Sequence, residues 1–210
     1  MSLPAATLEP RKKPVQARSE ATVDAIFEAA IQVLTATGVE RLSTTRVAER
    51  AGVSVGSLYQ YYPNKHALLA AVLQRHLNDV ADAIEQVCAQ LLHRPLAEVA
   101  PALVGCYVDV KLVRADVSKA LYALAEQHDG AQIIEAICVR IEHAIKTVLA
   151  NCSDARFDDL DTVVLMVRRA MAGPMQAVLE AGVPAELELS IRNHLTLLVG
   201  AYLRSVALPR

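Results

Sequence analysis

The 210-residue sequence contains no tryptophan, only two phenylalanines and only eight glycines, which fits poorly with an all-β protein built from aromatic strands and glycine turns. No run approaches the roughly 18 consecutive apolar residues of a membrane-spanning helix. The N-terminus carries charges and prolines where a secretory signal would need an apolar core. These features predict a cytoplasmic chain with no membrane partner. The four cysteines, Cys88, Cys106, Cys138 and Cys152, include no C-x-x-C pair, so neither a zinc knuckle nor a redox motif is supported, and buried free thiols are expected. What the sequence does have is 53% hydrophobic and 21% charged residues, enough to bury a core without staples. Its fold class is all-α.

Net charge is −2, but the two parts of the chain differ in sign. Residues 1–75 hold nine Lys/Arg against six Asp/Glu, and the remainder holds twelve against seventeen. A positive N-terminal third suits a polyanion, because neutralised phosphates release counterions; a +3 excess also occurs on ordinary solvated surfaces.

Residues 1–17 contain Pro4, Pro10 and Pro14 and the basic residues Arg11, Lys12, Lys13. With little to bury they read as a flexible arm, either an exposed tail or, with Arg18, a contact to the phosphates of a polyanion. From Ser19, a potential N-cap, Val23, Ile26, Phe27, Ala30, Val33 and Leu34 form one helical face that Gly38 ends. A short helix follows over 44–51, with Ser43 as its cap and Leu42 and Val47 at the staple positions. Gly52 and Val53 lead to Ser54, which caps a third helix through Tyr61. Only about three residues separate the two short helices, so the second turns sharply across the first. Leu58 and Tyr62 point inward, leaving Val55, Gly56, Ser57, Gln60 and Tyr61 largely outside.

After Pro63, Asn64 caps a long helix carrying Leu68, Leu69, Val72, Leu73, Leu77, Val80, Ile84, Val87 and Leu91. Further helices are predicted over 96–113, 115–127, 130–151, 158–182 and 185–207, with a kink at Gly173 and Pro174. The organisation is therefore a basic arm (1–17), a three-helix head (18–63), and a helical body (64–210).

A helix followed by two short helices around a glycine turn is the arrangement that lays its last helix in the DNA major groove. The segment Thr44-Thr45-Arg46-Val47-Ala48-Glu49-Arg50-Ala51-Gly52-Val53-Ser54-Val55-Gly56-Ser57-Leu58-Tyr59-Gln60-Tyr61-Tyr62-Pro63-Asn64-Lys65 resembles the DNA-binding signature of TetR-type transcriptional repressors. The likeness covers about 50 residues, roughly 18–70. The rest agrees only in helical character and length. Chemistry gives each matching residue a role. Thr45 can offer a hydroxyl and a free amide to phosphate, and Arg46 can reach a phosphate or a guanine edge. Gly56, beside Val55, admits close backbone approach, while Ser57 and Gln60 can bond base edges. Taken singly, a tyrosine pair near a helix end reads as packing, and Arg46 or Lys65 as a solvated charge. By the family pattern Tyr59, Tyr61 and Lys65 clamp the backbone. Tyr62, standing where the family usually has phenylalanine, reads mainly as core.

One such head reads few base pairs, so a homodimer on a palindromic double-stranded operator is expected. The stripes Leu160, Val163, Val164, Val167, Met171 and Leu187, Ile191, Leu195, Leu198, Tyr202, Val206 supply apolar surface for it. The resemblance implies the same, a four-helix interface from the last two helices of each subunit. It also implies a small-molecule effector that enters the body and changes the spacing of the heads. Candidate effector contacts are Tyr107, Tyr122, Cys138 and Met171, and the apolar lining favours a hydrophobic or amphipathic compound. These residues also read as ordinary core.

No cofactor or metal is expected, since His76, His128 and His143 do not pair at ligand spacing. Asp158, Asp159 and Asp161 read as solvated charges at a helix start. Neither a nucleophile with a base nor a phosphate-cradling glycine loop is present, so the chain is not read as an enzyme. A ligand-responsive repressor is the leading reading. An activator of the same fold is the alternative, and a helical carrier or enzyme with an accessory head is the rival from another class.

Overall fold

The computed structural model describes residues 17–125, 128–182 and 185–210, with side chains outside the description at 17–18, 122–129 and 183–186. Residues 1–16 of the arm assigned to 1–17, and the side chains of Tyr122 and His128, thus lie outside the described residues. Nine helices occur among the described residues: α1 (Ala17–Arg41), α2 (Thr44–Ala51), α3 (Val55–Tyr61), α4 (Lys65–Gln90), α5 (Leu96–Val113), α6 (Ala115–Ala125), α7 (His128–Ala150), α8 (Leu160–Ala181) and α9 (Ala185–Val206). Two short strands, β1 (Ala155–Arg156) and β2 (Leu208–Pro209), pair antiparallel. The chain divides into two compact units. One holds residues up to His76 together with Ala120–Ile133, and the other holds Leu77–Lys119 with Ile134–Arg210.

In the first unit α1 packs on α2 and α2 on α3. Ile26, Ala30 and Leu34 of α1, Leu42, Val47 and Ala48 around α2, and Leu58 of α3 are all buried, so the apolar spacing of each helix converges on one small core. The stretch Ser19–Arg41 is by length and composition long and apolar enough to cross a membrane, with a mean hydropathy of 1.2 over its most apolar window. Its apolar positions form the core just described.

Gly38 interrupts α1 with φ 76° and ψ 169°, which accounts for its reading as a helix end. The predicted cap at Ser19 is not observed. The helix already runs from Ala17, and the Ser19 hydroxyl instead lies 3.2 Å from the Tyr61 hydroxyl. Arg75 of α4 pairs with Asp24 of α1 at 2.6 Å and lies 4.2 Å from the centroid of the Phe27 ring. Ion pair and cation–π contact together fasten α4 to α1. Burial raises the Tyr62 phenol above its usual pKa, although the Arg75 charge opposes the shift.

In the second unit α5 and α8 both pack on α9 and on each other. Pro95 has no side chain to cap α5, and Asp154 takes that role, its Oδ1 accepting from the Leu96 amide at 2.8 Å. Asp159 caps α8 by accepting from the Thr162 amide at 3.2 Å, and hydrogen bonding from the Thr162 side chain, then from its amide, holds the Asp159 carboxyl below the usual pKa. Asp158 pairs with Arg156 at 2.8 Å and Asp161 with Lys146. Gly173 and Pro174 both stand inside α8, which runs unbroken from Leu160 to Ala181. Lacking an N–H, Pro174 leaves the Ala170 carbonyl without its helical donor.

The structure also corrects which face of α8 is available. Val163, Val164, Val167 and Met171 are core residues of the subunit. The large apolar side chains left exposed on α8 and α9 are Leu165 (44%), Met166 (48%), Leu189 (63%), Leu197 (63%) and Leu198 (50%). Of the earlier stripes, Leu198 alone belongs to this exposed set.

Candidate nucleic-acid interface

The site begins with three residues that fix the turn. Ser43 accepts the Arg46 amide at 3.3 Å and starts α2. Gly52 ends it in the left-handed region, φ 68° and ψ 27°, with its N–H turned back to the carbonyls of Ala48 and Glu49. Ser54 then accepts the Ser57 amide at 2.9 Å and starts α3. Glycine is required at position 52 for its backbone angle alone, since an added Cβ would meet nothing within 4 Å. The local sequence therefore dictates both helix ends and the reversal between them.

On this frame Thr45 and Arg46 stand exposed in the first turn of α2, and the Arg46 guanidinium donates to the Arg41 carbonyl at 3.1 Å. Gly56 and Gln60 are exposed on α3, Tyr59 is 41% exposed, and Val55, Ser57, Tyr61 and Lys65 are half-buried. Leu58 and Tyr62 are buried, as the spacing predicts. The first turn of α2, the outer face of α3 and the start of α4 thus leave a guanidinium, an ammonium and two phenols at least partly open to solvent.

Several of these side chains already have intramolecular partners. The Tyr59 hydroxyl lies 3.0 Å from Thr44 Oγ1, so the ring is held beside the start of α2. The Ser57 hydroxyl is 2.8 Å from Ser54 Oγ and belongs to the cap of α3. To reach a base it would have to exchange that bond, whereas Gln60 has no such commitment to the cap. Lys65 donates to the Glu40 carbonyl at 3.3 Å. Sequence reasoning missed Thr44 and Ser19 as supports of the two tyrosines. The separations of 15 and 42 residues leave no local signal for either contact.

The effector candidates lie elsewhere. Tyr107 and Met171 are buried, and Cys138 is half-buried with its sulfur accepting from Arg168 Nη1 at 3.4 Å. All four cysteines are free; Cys88 and Cys152 are buried as expected, whereas Cys106 and Cys138 are half-buried. Burial pushes the Cys88 thiol up to about 12. Among the described residues no three His, Cys, Asp or Glu side chains gather as metal ligands.

A capped pair of helices with a polar outer face, in a chain that continues into a helical body, is the arrangement of a DNA-binding transcriptional regulator. Known proteins agree. The family model "Bacterial regulatory proteins, tetR family" matches residues 26–72, and "Tetracyclin repressor-like, C-terminal domain" matches residues 95–203, more than half the chain. The chain belongs to the TetR family. The HTH-type transcriptional repressor DrrR1 of Streptomyces coeruleorubidus is 46% identical over 54 residues, 26% of this chain and 20% of that protein. The chain therefore matches only a fifth of DrrR1's length. The uncharacterized HTH-type transcriptional regulator MT2310 of Mycobacterium tuberculosis is 25% identical over 148 residues, 69% of this chain and 77% of its own. A solved Mesorhizobium loti structure, provisionally assigned as a TetR-family transcriptional regulator, superposes with a TM-score of 0.72 at 20% identity, covering 91% of this chain and 99% of that one.

Proposed function

We propose that this regulator is a cytoplasmic repressor that binds a palindromic operator as a homodimer and is released by a small hydrophobic or amphipathic effector, without cofactor or catalytic residue. Residues 18–63 act as the DNA-reading head and 64–210 as the effector-binding and dimerisation body. The observation that carries the reading is the exposed face of α3 behind its serine cap, with Gln60 and Gly56 outward and Leu58 inward. Gln60 and, after release from its cap partner, Ser57 read base edges. Arg46 reads a guanine edge or holds phosphate, and Thr45, Tyr59, Tyr61 and Lys65 hold the backbone. Val55 packs the turn beside Gly56. The exposed leucines of α8 and α9 support the dimer, because large apolar side chains left in water on two packed helices favour burial against a second copy.

Selection of bound fragments from a genomic library tests the reading, and recovery of a two-fold-symmetric sequence is the expected result. Enrichment of no sequence would refute it. Light scattering at micromolar concentration should give twice the monomer mass; a monomer contradicts the dimer.

Two substitutions separate DNA contacts from folding. Lys65→Ala removes only a long surface hydrogen bond to Glu40, so stability should change by under about 0.5 kcal/mol. Affinity for specific and non-specific duplex should fall alike, and the log–log salt slope should drop by about one per head. An unchanged slope removes Lys65 from the phosphate contacts. Gly56 lacks the left-handed backbone of Gly52, and a Cβ there would meet only Ser54 Oγ at 3.8 Å. Gly56→Ala should accordingly stabilise the head by about 0.5–1 kcal/mol in chemical denaturation, while weakening duplex binding in fluorescence anisotropy because the methyl stands between helix and DNA. Gain of stability with full DNA affinity would show that the α3 backbone does not approach the duplex.

A further inference from the structure

Two hydroxyl pairs tie α3 to different helices of the head. The Tyr59 hydroxyl lies 3.0 Å from Thr44 Oγ1 at the start of α2, and the Tyr61 hydroxyl lies 3.2 Å from Ser19 Oγ of α1. Residues two apart on a helix stand about 200° apart around its axis, so the two tyrosines bracket the exposed Gln60, which is about 100° from each. Thr44 is only 8% exposed, whereas Tyr59 is 41% exposed. The phenol is therefore the member of that pair open to an incoming ligand, and the threonine stands behind it.

While the protein is free, either oxygen of each pair can be the donor. A phosphate oxygen removes that choice. It only accepts, so a phenol bound to it must direct its single proton outward, and its lone pairs then face the hydroxyl behind. A donor in that place polarises the phenol and strengthens its bond to the phosphate. A methyl group there would leave the phenol oxygen facing an apolar neighbour. We propose that Thr44 and Ser19 are positioning residues for DNA binding, each donating to a tyrosine oxygen and so committing the phenol proton to the phosphate backbone on either side of Gln60. The inference rests on the reading of Tyr59 and Tyr61 as backbone contacts and adds the groups that orient them. Thr44, being buried, acts through Tyr59 alone.

A double-mutant cycle on the full-length protein tests the assignment, read by anisotropy of a labelled mixed-sequence duplex of about 30 base pairs, long enough for two half-sites. Thr44→Val keeps the shape of the side chain and removes the hydroxyl, and affinity should fall about three- to tenfold per head. In a Tyr59→Phe background the same substitution should change affinity by less than about 1.5-fold, because the oxygen it serves is gone. Thr44→Ser, which keeps a hydroxyl, should bind as the unsubstituted protein does. The log–log salt slope should be the same throughout, since a neutral hydroxyl releases no counterion. Ser19→Ala with Tyr61→Phe forms a second cycle with the same expected pattern; helical circular dichroism checks every variant, and this cycle decides the matter if Thr44→Val does not fold. Equal losses from Thr44→Val in both backgrounds would make the threonine merely structural and overturn the proposal. A loss with Tyr59→Phe but none with Thr44→Val would also overturn it, leaving the tyrosine contact standing. Full affinity in Tyr59→Phe would overturn both.

Discussion

Leu198→Glu is expected to turn the protein into a monomer and to lower its operator affinity at least about a hundredfold. Leu198 is 50% exposed on α9 beside the 63% exposed Leu197, and α9 packs against α8, where Leu165 and Met166 are also outward. A carboxylate at that point costs the free subunit little, because it remains in water. In a dimer it would be stripped of water against apolar neighbours, a penalty of several kcal/mol per charge that two-fold symmetry incurs twice. With one head per molecule, the second head's binding is no longer intramolecular, and the loss of effective concentration appears directly in affinity. Sedimentation velocity and operator anisotropy on the same sample provide the check. A variant that remains dimeric would move the interface away from this face.

Leu58→Ala should abolish duplex binding through the fold of the head, with a stability loss of about 2–5 kcal/mol. Leu58 is fully buried and is the one side chain of α3 in the core, so it anchors a seven-residue helix that could not persist alone. Truncating it leaves a cavity between α3 and its neighbours and frees the outer face from its orientation. Denaturant unfolding followed by circular dichroism measures the first effect, and anisotropy with the selected operator measures the second. Retained affinity would mean that α3 is held in place by other contacts.

The head was legible in the sequence because its signals are local. Ser43, Gly52, Ser54 and Asn64 each act within four residues, so the ends of α2, α3 and the start of α4 follow from capping chemistry. The same locality explains what was misread. Ser19 resembles a cap by type and position, yet α1 begins at Ala17 and the hydroxyl serves Tyr61 instead. Pro174 stands inside α8, as its position within the apolar pattern of that segment predicts. The β1–β2 pair joins residues more than fifty positions apart and is too short to leave an alternating pattern.

The body shows a different limit. Amphipathic spacing identifies an apolar stripe but not what covers it, so Val163, Val164, Val167 and Met171 could be assigned to a partner when they in fact line the subunit's own core. The exposed Leu165 and Met166 lie off that stripe and carry no periodic signature of their own. Lys111 was overlooked for a related reason. A lysine on an apolar helix face ordinarily extends to water, whereas Lys111 is buried and its carbonyl is held by Ser118 of α6, seven residues on.

The most direct test of base reading by α3 is selection from a random duplex pool, run in parallel with the unsubstituted protein and Gln60→Ala. The account predicts that the substitution erases the preference at one position in each half-site, symmetrically, with discrimination there falling about 10- to 100-fold while affinity for non-specific duplex is unchanged. Identical consensus sequences from the two proteins would contradict it.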